Sequence, residues 1–342
     1  MSDPFELHTP SVFVVGSPFQ ALCAIAAIKN LEITDYYFIA VLSGNTRDAQ
    51  LLMCLKKKRI NYCIFELNKI NLLLNVFRNL LPLQGKYERA FIGEFSASFM
   101  LGVALPYLKK HACAVYVDDG NAMVSFLNDT FRSWDKKSTQ WVYDTLSEGK
   151  GIIPRKHFYT IYSDIQNDKY LIGHNDISIL LENTHYDKEE KNIVFIGTAV
   201  RSYCSQLEIS EDSFYQQINK VFDLIRRRYP DDHIVYVPHS NEANNYIKLL
   251  CDNYKAEIIF VDTMVEEYVM ESPWRPKAIV GLCSTALFNL KQIIPILPTI
   301  NVLFYEREDC PRLKKYKSIC TYYQNNQIEC IEWKINSNGC KY

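Results

Sequence analysis

The stretch Ala112-Cys113-Ala114-Val115-Tyr116-Val117-Asp118-Asp119-Gly120 passes without a break from an apolar run into two acids and a glycine. A short apolar run closed by a turn signal reads as a strand covered on both faces, as strands of parallel sheets are. Upstream, residues 12–15, 36–41, 62–65 and 89–92 read the same way, and helical patterns fill the gaps at about 19–30, 47–58, 70–81 and 96–109. Strand alternating with helix implies a parallel sheet covered by helices. In such sheets chemistry collects outside the carboxyl ends of the strands, which is where Asp118, Asp119 and Gly120 fall.

The rhythm breaks over a polar segment at about 164–191 that ends in the charge run Asp187-Lys188-Glu189-Glu190-Lys191, then restarts. Residues 192–196 read as a strand ending at Gly197-Thr198. Ser210 is an N-cap with Glu211 and Asp212 in the first turn. Phe214, Ile218, Val221, Phe222 and Ile225 follow on one helical face, and further strands read at 233–237, 257–261, 278–282 and 300–304. The pattern predicts an α/β protein with two Rossmann-like domains, their parallel sheets facing a central cleft. The boundaries are 1–170, a linker at 171–191, and 192–342, with the last residues expected to pack back on the first domain.

Bulk properties exclude more than they select. The 342 residues are 48% hydrophobic and 23% charged, with net charge −1, so no basic footprint points to nucleic acid. Eleven cysteines, an odd number scattered from Cys23 to Cys340 without a C-x-x-C pair, read as reduced and mostly buried thiols rather than a disulfide framework. Residues 1–10 are polar and carry Asp3 and Glu6, unlike a signal peptide, and no apolar window reaches membrane-span length. A cytoplasmic protein is expected, with at most peripheral contact at the inner face of a membrane. Residues 72–81, Leu-Leu-Leu-Asn-Val-Phe-Arg-Asn-Leu-Leu, are read as a core helix, with membrane contact as the alternative.

Each candidate site residue has an ordinary reading beside a functional one. Asp118 or Asp119 can accept a proton, with Gly120 opening the turn to a substrate, or the three form a solvated turn. His239, placed by Pro238 after a strand, can give a proton to a leaving phosphate or be satisfied by backbone. Ser284 and Thr285 before a helical run can cradle phosphate or simply cap the helix. Glu266 can bond a ribose hydroxyl or sit on the surface beside Glu267. The loop Gly16-Ser17-Pro18-Phe19-Gln20 is no G-x-G-x-x-G, which disfavours a dinucleotide enzyme, yet it can present Ser17 and Gln20 to a ligand; Gly93-Glu94-Phe95-Ser96 is a second such loop. Gly197 and Thr198 at a strand exit complete the substrate-binding candidates. Trp134 and Trp141 read as packing residues, with stacking on sugar rings as the alternative. No Asp-x-Asp pair follows a strand, and Walker, H-E-x-x-H and G-x-S-x-G motifs are lacking, so neither a metal nor a cofactor is expected.

In that order, Ser-Pro-x-Gln, Asp-Asp-Gly, Pro-His, an acid before Tyr and a Ser-Thr pair, the set resembles bacterial sialyltransferases, in particular the lipooligosaccharide sialyltransferase and polysialyltransferase-like group. The resemblance spans about 12–304 and rests on short motifs in sequence. It implies a GT-B fold and an inverting, metal-independent transfer of sialic acid or a related nonulosonic acid from a CMP-sugar to a glycan acceptor of a surface polysaccharide or lipooligosaccharide. It implies Asp118 as base, supported by Asp119, His239 as acid, Ser284 and Thr285 on the phosphate, and Glu266 on the ribose. The family's His-Pro pair reads His239-Ser240 here, with the proline before the histidine, and its Ser-Ser pair reads Ser284-Thr285. A CMP-Kdo transferase and a non-catalytic nucleotide-sugar-binding protein of the same fold are the alternatives.

Overall fold

A computed structural model of the chain describes residues 3–81, 85–118, 120–127, 138–162, 165, 167–181, 189–239, 242 and 244–335. Asp119, Trp134, Ser240 and the last residues 336–342 lie outside the described residues. The chain forms two compact units, Met1–Leu180 with Asp262–Met264, and Leu181–Val261 with Val265–Tyr342.

In the first unit the strands are β1 (Ser11–Val15), β2 (Tyr36–Leu42), β3 (Tyr62–Glu66), β4 (Tyr87–Ile92), β5 (Leu108–Tyr116), β6 (His157–Thr160) and β7 (Leu171–His174). Its helices are α1 (Pro18–Asn30), α2 (Thr46–Lys57), α3 (Lys69–Leu80), α4 (Ser98–Ala104), α5 (Asn121–Leu127) and α6 (Ser138–Gly149). The sheet order is β3-β2-β1-β4-β5-β6-β7, and every pairing is parallel. β1 is buried along its whole length, as a central strand with helices on both faces must be. Ser17 caps α1 and Pro18 opens it, where its missing N–H costs nothing.

The second unit holds β8 (Glu190–Ile196), β9 (Ile234–Val237), β10 (Glu257–Ile258), β11 (Arg275–Gly281), β12 (Thr299–Tyr305) and β13 (Glu329–Lys334) in the parallel order β10-β9-β8-β11-β12-β13. Its helices are α7 (Val200–Leu207), α8 (Glu211–Arg228), α9 (Asn244–Tyr254), α10 (Val265–Glu271), α11 (Thr285–Ile293) and α12 (Leu313–Asn325). α8 is capped by Ser210, carries Glu211 and Asp212 in its first turn and Arg226–Arg228 in its last, and buries Phe214, Ile218, Val221, Phe222 and Ile225. That charge order complements the helix dipole.

In both sheets the order of strand addition reverses once, between β1 and β4 and between β8 and β11. These are the switch points at which open α/β sheets bind ligands.

Several expectations are corrected. The helix read at 96–109 ends at Ala104: Pro106 lies in a 3-10 turn, and β5 already starts at Leu108. The linker read at 171–191 begins later, because Leu171–His174 pairs with β6 as an edge strand whose ends are exposed, and Glu190 and Lys191 already belong to β8. Residues 72–81 do not form a core helix. α3 buries Asn75 and Asn79, whereas Leu73, Leu74, Phe77, Leu80 and Leu81 are exposed. Trp141 is 69% exposed on α6 rather than packed. No disulfide joins the ten cysteines among the described residues, and seven of the ten are buried. No helix among the described residues is long and apolar enough to cross a membrane.

Candidate active site

Register places the first group of residues. Val14, Ile92 and Tyr116 lie side by side on β1, β4 and β5, so Gly16, Glu94 and Asp118, each two residues further on, leave the sheet at one level. Neighbouring exits are about 5 Å apart.

Gln20 stands at the switch point between the first two exits. Its side chain is buried, its Oε1 accepts the Gly16 N–H at 2.7 Å, and a Cβ at Gly93 would collide with that same oxygen. Gln20 therefore braces two loops. Ser17 accepts the Gln20 N–H at 3.3 Å as the cap of α1, and Glu94 Oε1 accepts the Ser96 hydroxyl at 2.5 Å. Ser17 and Glu94 remain half-buried.

Asp118 is 0% exposed. The Thr160 hydroxyl donates to its Oδ1, and the Ile161 N–H donates to Oδ2 at 3.0 Å. Burial drives its pKa up to about 7, overcoming the opposing hydrogen bonds from Thr160, Ile161 and Cys23. Thr160 is fully buried and also accepts the Tyr162 N–H at 3.1 Å, so Asp118 ties the exit of β5 to that of β6. Just beyond, Gly120 adopts φ +67°, a left-handed turn that suits glycine, before α5 begins.

In the second unit Ile196 pairs with both Val237 and Gly281. Gly197, Pro238 and Leu282 are thus level, with Thr198, His239 and Cys283 one residue beyond. A Cβ at Gly197 would collide with Glu242 Oε2 and lie 2.7 Å from the Tyr236 hydroxyl. Only glycine admits that carboxylate so close to the backbone. Glu242 accepts the Tyr236 O–H at 2.6 Å and the His239 N–H at 3.0 Å, and its own N–H donates to the His239 carbonyl at 2.9 Å. This reciprocal arrangement resembles a capping box and fixes the backbone of His239. Burial raises the Glu242 pKa to about 7 against the opposing bonds from Tyr236 and His239. The His239 side chain, Pro238 and Thr198 are half-buried.

The β11 exit is set by a buried amide. Asn301 Oδ1 accepts the Cys283 N–H at 2.6 Å, holding Cys283 at φ +49°, and Asn301 Nδ2 lies 3.3 Å from Cys320 Sγ. Ser284 then caps α11, its hydroxyl accepting the Ala286 N–H at 3.3 Å, while Tyr323 donates to the Ser284 carbonyl at 3.0 Å. Ser284 and Thr285 are half-buried at the start of a nine-residue helix whose free N–H groups suit an anion. Glu266 lies on α10, where it is 5% exposed and Oε1 accepts from Asn289 at 2.7 Å; burial raises its pKa.

The structure thus gathers Ser17, Gln20, Glu94, Asp118 and Gly120 at one edge, and Gly197, Thr198, Pro238, His239, Ser284 and Thr285 at another. Glu266 sits inside a helix-helix contact. Sequence reasoning missed the roles of Glu242, Thr160 and Asn301. The spacing His239-x-x-Glu242 was a usable signal for the first. A cavity of 470 Å³ is lined mainly by residues of β3 and α3, with Ile39, Val103 and Tyr107, and by none of the candidate residues above.

No protein-family model matches the chain. No curated protein matches it either. Solved structures do. A 2,6-sialyltransferase from Vibrionaceae Photobacterium sp. JT-ISH-224, in a ternary complex with donor product CMP and acceptor substrate lactose, is 15% identical with TM-score 0.53, covering 94% of this chain and 78% of that one. A UDP-N-acetylglucosamine 2-epimerase is 10% identical with TM-score 0.50, covering 96% of this chain and 84% of that one. Arabidopsis thaliana UGT89C1, complexed with UDP-L-rhamnose, is 9% identical with TM-score 0.50, covering 96% and 86%. Identities this low carry the fold alone: an α/β protein of GT-B type with two Rossmann-like units.

Proposed function

We propose that this chain is an inverting, metal-independent glycosyltransferase that moves sialic acid, or a related nonulosonic acid, from a CMP-sugar to a glycan acceptor. The observation that carries the reading is the placement of Asp118, a fully buried carboxyl at the β5 exit of one unit, level with Gly16 and Glu94 and raised by burial to about 7. It is matched in the other unit by a histidine whose backbone Glu242 holds and by a hydroxyl-rich helix start at Ser284-Thr285.

In this reaction the acceptor hydroxyl attacks the anomeric carbon as the bond to the CMP phosphate breaks. Asp118 takes the hydroxyl proton, and a pKa near neutrality lets it do so and release the proton again. His239 gives a proton to the departing phosphate. The α11 N–H groups, Ser284 and Thr285 stabilise its charge. The Photobacterium enzyme's donor product CMP and acceptor lactose support this choice of ligands. Fold likeness to proteins of UDP-sugars makes UDP the control.

The test is a thermal-shift series with CMP, UDP and GDP, since a ligand bound only by the native state raises the midpoint. CMP alone is expected to raise it, and CMP is expected to be released from CMP-Neu5Ac when a glycan acceptor is present. Stabilisation by UDP and not CMP overturns the donor class. Release from CMP-Kdo only changes the sugar. Binding of CMP without release from either donor makes the chain a nucleotide-sugar-binding protein.

A further inference from the structure

α3 is built inside out. Two of its asparagines face the protein: Asn75 and Asn79 are buried, and Asn79 Nδ2 donates to the Gly102 carbonyl of α4 and the Asn75 carbonyl at 2.9 Å each. The Tyr143 hydroxyl of α6 donates to the Leu72 carbonyl at 3.2 Å. Outward go Ile70, Leu73, Leu74, Phe77, Leu80 and Leu81, all between 55 and 72% exposed. At 100° per residue these side chains occupy an arc of about 120°. An apolar face of that size on a soluble surface marks an interaction site.

The flanks of the arc identify the partner. Lys69 borders it on one side and Arg78 on the other, both exposed, and the sequence Lys-Ile-Asn-Leu-Leu-Leu-Asn-Val-Phe-Arg-Asn-Leu contains no acid. Arg78 lies 5.0 Å from the centre of the Tyr107 ring, whose body is apolar and whose tip is polar. The 470 Å³ cavity continues the apolar surface between α3 and the edge strand β3 through Ile64, Phe65 and Leu74, with Glu66 the one acid in its lining. An apolar stripe with cations on both flanks and an aromatic-cation pair at the rim is the pattern of a helix that lies in the headgroup layer of a bilayer, its long basic side chains reaching phosphates. A second copy of the chain is a poorer partner. Symmetric pairing would set the cationic flanks of one α3 near those of the other, with no acid on either helix to offset them.

We propose that α3 docks the chain on an anionic lipid bilayer, inserting Leu73, Leu74, Phe77 and Leu80 and pairing Lys69 and Arg78 with lipid phosphates. Binding is read by co-sedimentation of the full chain with phosphatidylcholine vesicles made with and without phosphatidylglycerol, alongside sedimentation velocity of the protein alone. The wild type is expected to pellet with phosphatidylglycerol vesicles and to remain in solution with pure phosphatidylcholine. The double variant Leu73→Ser/Phe77→Ser changes only exposed positions. It should retain the thermal midpoint and lose binding roughly tenfold or more. Lys69→Glu/Arg78→Glu, which leaves the apolar face intact, should lose binding to the anionic vesicles several-fold. Failure to bind either vesicle overturns the proposal, and so does equal binding to both. A wild-type dimer that Phe77→Ser dissociates, with no vesicle binding, assigns the face to a second copy instead.

Discussion

At the residue scale the informative group is Asp118, whose carboxyl is pushed up to about 7 by burial although hydrogen bonds from Thr160, Ile161, Cys23 and its own backbone N–H pull it down. A base must be deprotonated to act, so transfer should rise with pH through an apparent pKa near 7. Asp118→Asn keeps the shape and one acceptor oxygen but cannot take a proton. Transfer should fall by about 10²–10⁴-fold, while CMP still raises the thermal midpoint. Thr160→Val separates a working base from a structural acid. It removes a hydrogen bond that lowers the Asp118 pKa, so the limb of the pH–rate profile should move to higher pH. A profile unchanged in Thr160→Val would mean that another group titrates in the reaction. The Asp-Asp-Gly motif is plain in the sequence, but the fastening of Asp118 is not, because Thr160 lies on β6, a four-residue strand that composition does not announce.

At the scale of elements, Gly197 shows how a missing side chain organises a loop. The exits of β8 and β9 meet where Glu242, Tyr236 and the His239 N–H converge beside it. Gly197→Ala should push Glu242 out, cost about 1–3 kcal/mol as overpacking does, and abolish stabilisation by CMP. Adding Glu242→Ala relieves the collision, so the double variant should lose less stability than the two single losses combined, a coupling read from denaturation midpoints. Strict additivity would mean that the two residues do not press on each other. Elements covered on both faces were legible, since β1, β4, β8 and β11 read as apolar runs and α8 as one helical face. The edge strands β7 and β13 escaped because half-exposed residues such as Glu329–Lys334 lack a continuous apolar run. α3 was located but turned the wrong way. Helical period reveals that an apolar stripe exists, and only the partners of Asn75 and Asn79 reveal which side faces the protein.

At the scale of the whole molecule, each unit buries a carboxyl beside its strand exits, Asp118 in the first and Glu242 in the second, both raised by burial to about 7 from ordinary values of 3.8 and 4.5. Between its ordinary value and 7 each acid holds its proton in the folded unit and releases it in the unfolded chain. Stability therefore declines as pH rises through that window and is flat above it so far as these groups are concerned. At about 1.4 kcal/mol per pH unit, each acid contributes on the order of 3–4 kcal/mol across the window. Asp118→Asn and Glu242→Gln each remove one titration. The stability of each variant relative to the wild type should accordingly improve by about that amount between pH 4 and pH 8. The double variant should show close to the sum, since the two acids lie in separate units and the hydrogen bonds of each among the described residues stay within its own unit. Urea unfolding of all four proteins at intervals from pH 4 to pH 8 measures this directly. Parallel curves would place both carboxyls near their ordinary pKa and deprive Asp118 of the neutral-range proton affinity on which its proposed role as base depends.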